Sequence, residues 1–169
     1  MELIKTDIKD LFLVKFKKIK DDRGVFIKPW ISNLLKNQFG ENIETYITKT
    51  SPGTLRGLHY QSSNCPQKKL IICVDGKIED LVVDMRPNSN TYGKSFKITL
   101  NSNDNTGILV PEECAHGIFS YDNSIYVCFT NQIYSPDDEL GISWKSIKDF
   151  SNLPVIDVSE KDKNLPYLK

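Results

Sequence analysis

Histidine and arginine are scarce in this 169-residue chain, and neither sign of charge is in surplus. The histidines are His59 and His116; the arginines are Arg23, Arg56 and Arg86. Twenty-two basic side chains balance 22 acidic ones, for a formal charge of zero. That balance argues against a nucleic-acid binder or a protein held on an anionic membrane, since both usually carry a basic surplus. No stretch approaches the roughly 18 apolar residues that a membrane-spanning helix needs. The opening MELIKTDIKDLFLVKFKKIKDD is broken by charge throughout and holds no secretory stretch. Four cysteines, Cys65, Cys73, Cys114 and Cys128, are far apart with no C-x-x-C pair, which argues against a structural zinc site or a thioredoxin-like motif. The expectation is a cytoplasmic protein with reduced thiols. The length fits a single domain over 1–169, and a 39% hydrophobic content can fill its core.

What is present is mostly β pattern. The segments 11–17, 25–27, 43–50, 69–74, 77–84, 95–100, 107–110, 117–121 and 124–130 read as strands, separated by SPG, DG, RPNSN, NSNDN, PEE and YDN. VDGK between two apolar runs predicts a hairpin. The spacing of Ile31, Leu34, Leu35 and Gln38 predicts a helix over 30–39, ending at Gly40. Residues 136–169 read as a polar extension packed across the sheets, with a helical turn near 143–150. Many short strands with a few peripheral helices predict an all-β sandwich or barrel.

Both histidines are read at junctions of strand and turn, in LRGLHYQ and PEECAHGIF. Strands alternate faces, so His59 and Gln61 can share one, and Lys69 can join them from a neighbouring strand. A histidine, a lysine and the nearby Arg56 around one cavity suit an anionic substrate and an enolate-like intermediate. Arg86 reads as a structural partner of Asp84, and Asp80 and Asp84 as strand-end residues and not a catalytic pair.

DDRGVF, TLRGLHYQ, the PQKKLI…VDGKI…LVVDMR…SNTYGK run, PEECAHG and YSPDDELGISW resemble, in order, the segments of the dTDP-4-dehydrorhamnose 3,5-epimerase family. The resemblance covers about 11–144, with a weaker echo to 166. It implies a double-stranded β-helix (a cupin, jelly-roll-like barrel), a homodimer with exchanged N-terminal strands, and no metal or organic cofactor. The implied substrates are nucleotide-linked 4-keto-6-deoxy sugars. The keto group acidifies the hydrogens at C3 and C5. A base removes one, and an acid on the opposite face returns a proton with inversion. An imidazole, with an ordinary pKa of about 6.5, is a suitable base. By resemblance His59 is that base, Asp162 orients it, and Lys69 stabilises the enolate. Arg23 and Arg56 contact substrate and diphosphate as planar donors. Phe26, Gln61 and His116 line the binding site, and Tyr134 lies near the nucleotide.

The chain departs from the family at the opposite-face acid, a tyrosine on the strand after AHG. Counting back six positions from Tyr134 reaches Cys128, and thirteen on from His116 reaches Phe129. Cys128 and Tyr126, two residues earlier on the same strand face, are the candidate replacements. Lys28 stands where the family often has glutamate, and Glu44 and Tyr46 where it has glutamine and asparagine, so an altered sugar or nucleotide is expected. Epimerisation at C3 alone is as open as epimerisation at C3 and C5. A 3,4-keto-sugar isomerase and a non-catalytic sugar-nucleotide-binding cupin are the alternatives. A metal-dependent cupin oxygenase fits least, because the chain has no H-x-H.

Overall fold

The computed structural model describes residues 1–30 and 32–168. Two curved antiparallel sheets face each other. The first is formed in spatial order by β1 (Glu2–Lys5), β2 (Phe12–Lys15), β10 (Thr106–Val110), β7 (Lys69–Asp75), β12 (Ser124–Thr130) and β5 (Glu44–Thr50). The second runs β13 (Glu139–Gly141), β6 (Thr54–Gln61), β11 (Cys114–Ser120), β8 (Lys77–Asp84) and β9 (Ser95–Asn101), with β14 (Asp157–Val158) added in parallel beside β6. A separate ribbon pairs β3 (Lys18–Asp21) with β4 (Gly24–Ile27). This is the expected jelly-roll-like cupin barrel.

Alternation along the strands sorts side chains into layers. Ile71, Val82, Ile108, Ile118, Tyr126 and Cys128 point between the sheets into a common core. Their sequence neighbours point outward. Leu70, Ile72 and Leu109 pack under Leu35 and Phe39, whereas Leu81, Val83, Ala115 and Phe119 pack under Ile142, Trp144, Ile147 and Phe150. Both faces of β11 are therefore covered, and all of its residues are buried. The C-terminal segment is thus the outer cover of the second sheet.

Several expectations need correction. The VDGK turn does not close a hairpin, because β7 enters the first sheet and β8 the second. Gly76 makes the crossing at φ 73°, where a Cβ would lie 2.4 Å from the Asn123 carbonyl oxygen. The helix expected over 30–39 shrinks to one turn, α1 (Ser32–Leu35), followed by turns that bury Phe39; Ile31 lies outside the described residues. Trp30 packs edge-on against Phe39 and stacks on Phe129, so aromatic contacts hold this segment in place of a regular helix. Both histidines lie within strands and not at their ends.

Candidate active site

The site begins with an irregularity in β6. Opposite β11, His116 pairs with His59 but Ile118 pairs with Arg56, so β6 carries one extra residue across this interval. Such a bulge turns an odd spacing into a shared face. Arg56 and His59, three residues apart, therefore line the same cavity. Glycines make the bulge possible. Gly57 has φ 109°, and a Cβ there would meet the His116 carbonyl oxygen at 2.6 Å; one on Gly117 would meet the Arg56 carbonyl oxygen at 2.8 Å. The RGL and AHG motifs thus interlock backbone to backbone.

The bulge also exposes a peptide N–H. Gly57 N–H donates to Asp162 Oδ2 at 2.9 Å, while Asp162 Oδ1 holds His59 Nε2 at 2.7 Å. Asp162 sits in α2 (Glu160–Lys163), whose N-cap Ser159 accepts from the Asp162 N–H at 3.1 Å. Burial pushes the Asp162 carboxyl up, but the bonds from His59 and Gly57 outweigh it and hold the group below the usual carboxylate range. An ionised Asp162 accepts the Nε2–H and leaves Nδ1 with the lone pair. Glu139 Oε1 stands 3.6 Å from Nδ1, while Glu139 Oε2 is bound by Lys161 and by the Tyr134 hydroxyl.

The facing sheet supplies the opposite wall. Tyr46 on β5, Lys69 and Ile71 on β7, and Tyr126 and Cys128 on β12 all reach the cavity, whose volume is about 430 Å³. Tyr46, Cys128 and Ile71 form one lateral row in register. Burial lowers the Lys69 ammonium, opposed by the charges of Cys128, Glu139 and Asp80. Burial pushes the Cys128 thiol up to about 11. Tyr126 is also raised by burial.

A second hollow of about 350 Å³ shares Tyr46, His59 and Lys69 with the first and continues past Glu44, Gln61 and Tyr134. Here the Glu44 carboxylate accepts the Tyr134 N–H at 3.1 Å. Arg23, Phe26 and Lys28 do not reach either hollow within the chain. Arg23 is 91% exposed on the ribbon and donates to Asp21 at 2.6 Å.

Asp80 corrects the sequence reading: it is neither at a strand end nor exposed. It is fully buried within β8 and its Oδ2 binds His116 Nε2 at 3.0 Å, leaving Oδ1 without a partner. Burial raises its carboxyl, opposed by His116 and Lys69. Glu139 and Lys161 were also missed, although Glu139 lies inside the YSPDDELGISW motif. Arg86 does bond Asp84 through two guanidinium nitrogens, with Ser89 and Thr91 completing a closed structural cluster.

The barrel is a cupin, and proton donors and acceptors on facing sheets are the equipment of a carbohydrate isomerase. The model for the dTDP-4-dehydrorhamnose 3,5-epimerase family matches residues 5–169, and the chain belongs to that family. It is 34% identical to the dTDP-4-dehydrorhamnose 3,5-epimerase of Shigella flexneri, over 97% of this chain and 94% of the relative. The crystal structure of the enzyme of that name from Sulfolobus tokodaii superposes with a TM-score of 0.90 at 33% identity, covering 98% of this chain and 94% of that one. The Bacillus anthracis enzyme, solved with TDP and PPi bound, gives 0.90 at 30% identity and covers 99% of each chain.

Proposed function

We propose that this protein epimerises a nucleotide-linked 4-keto-6-deoxy sugar at C3, C5 or both, in deoxysugar biosynthesis. The observation that carries this reading is the His59–Asp162 pair, 2.7 Å apart, facing Lys69 across a cavity between the sheets. His59 Nδ1 takes the proton from carbon, and the ionised Asp162 stabilises the imidazolium that forms. The electron pair moves into the enolate, whose oxygen Lys69 neutralises. A proton returned from the opposite sheet inverts the centre. Arg56 lines the same cavity and offers a planar cation for substrate oxygens.

The nucleotide belongs in the second hollow, against Tyr134 and Gln61. A TDP-bound relative at 30% identity supports a nucleotide diphosphate as the recognised handle. The remote placement of Arg23, Phe26 and Lys28 supports a homodimer with exchanged N-terminal strands, in which the ribbon of one copy completes the pocket of the other. Exposed Ile19, Val25 and Phe26 on that ribbon give it an apolar surface to bury.

Incubation with dTDP-4-keto-6-deoxy-D-glucose and its GDP and UDP counterparts in D₂O tests the reading. Solvent deuterium should enter C3 or C5 of at least one, read by NMR. No incorporation into any of them would refute it.

A further inference from the structure

We propose that Tyr46 on β5 is the proton donor that faces His59. The assignment rests on the epimerase reading above and adds the group that completes it.

Three side chains on the first sheet could serve. Cys128 is 1% exposed and Tyr126 6%, and both line the first hollow alone; Tyr46 keeps 44% of its surface accessible and lines both hollows. Tyr46 and Cys128 are register partners on adjacent antiparallel strands and line the same cavity. Register partners point to the same face of a sheet, so the Tyr46 ring enters the cavity beside the Cys128 side chain, one strand over. A tyrosine on β5 thus delivers a hydroxyl to the spot that a residue on β12 faces. His59 belongs to the other sheet, so base and phenol approach the sugar ring from opposite walls. Burial and the neighbouring sulfur raise the Tyr46 hydroxyl above its ordinary value, which keeps the proton in place until a carbanion calls for it.

The proton inventory closes. His59 gains the proton of the breaking C–H bond, and that bonding pair enters the enolate. The Tyr46 O–H then breaks, its proton forms the new C–H bond on the opposite face, and the electron pair stays on the phenolate oxygen. Solvent afterwards reprotonates the tyrosine and takes a proton from the imidazolium.

Tyr46→Phe separates this role from packing or binding. In D₂O with the substrate that the wild type accepts, His59 still removes and returns a proton on its own face. Deuterium should therefore continue to enter with the original configuration, while epimerisation falls by about 10²-fold or more. Loss of epimerisation exceeding loss of exchange by at least about tenfold supports the assignment; any smaller separation, including parity with wild type or equal loss of both, overturns it. The same separation appearing in Tyr126→Phe and not in Tyr46→Phe would also overturn it. A wild type that takes up no deuterium from any of the three sugar nucleotides sinks the epimerase reading and this assignment together.

Discussion

His59 and His116 stand opposite each other in register on β6 and β11, and each binds a different aspartate through Nε2: Asp162 at 2.7 Å and Asp80 at 3.0 Å. The two pairs have opposite electrostatics. Hydrogen bonds hold Asp162 below the ordinary carboxylate range, whereas burial raises Asp80 and leaves one of its oxygens unpartnered. Only the first pair combines a reliably ionised carboxylate with a ring facing both hollows.

Asp162→Asn should therefore lower kcat by about 10²–10⁴-fold, because the amide can donate to Nε2 and favour the wrong tautomer. Asp80→Asn should cost much less activity, since its histidine is not the base. Steady-state turnover of the two variants, with thermal melting to confirm folding, checks the contrast.

Lys69 predicts the alkaline side of the pH profile. In the proposed reaction it acts as a cation, so its contribution is present below its pKa and lost as pH rises through it. Burial lowers that pKa below the ordinary lysine range, so activity should decline earlier than a free lysine would allow. Lys69→Arg, which stays charged, should be slower throughout but should lose this limb. A kcat–pH series that falls at the same pH in both proteins would assign the limb to another group.

Asp84 predicts acid sensitivity of the fold itself. Its carboxylate accepts from Arg86, Ser89 and Thr91, which depress its folded pKa below the unfolded value. The resulting stability is present above the unfolded pKa and lost as pH falls through the folded one. Asp84→Asn should cost on the order of 3 kcal/mol at pH 7 by urea denaturation, because Arg86 keeps its charge without its main partner. The difference from wild type should shrink in acid.

The ribbon makes a prediction about pairs of chains. Arg23→Ala and His59→Ala should each be poorly active alone. If ribbons are exchanged, co-expressed chains form one site with His59 from the first variant and Arg23 from the second. Purified mixed dimers should then regain a substantial fraction of wild-type activity, whereas a site built within one chain gives no recovery.

The strands with alternating burial were legible in the sequence because one buried face leaves a period of two. β3 was not: all four of its residues are exposed, so only pairing with β4 holds it, and pairing leaves no hydrophobic trace. The hairpin was misread because a DG turn has the same local chemistry whether it joins partners or crosses between sheets. His59, Asp162 and Lys69, which the motifs single out, line one cavity. The sharing of a face by Arg56 and His59 depends on a bulge, and the adjacency of Tyr46 and Cys128 depends on inter-strand register. Neither follows from spacing along one strand. Asp80 lies in mid-strand and not at a strand end because β8 runs on to Asp84, a length set by pairing with β11 and β9 on either side.

The carboxylate that holds His59 Nε2 arrives through slender means: the two-residue strand β14 and the single turn of α2, laid on the edge of β6. The core between the two sheets contains no residue of that strap, so the strap can open while the core stays closed. Warming or mild denaturant would thus disarm the base while the barrel still stands. Catalytic competence acquires its own melting point, lower than that of the fold.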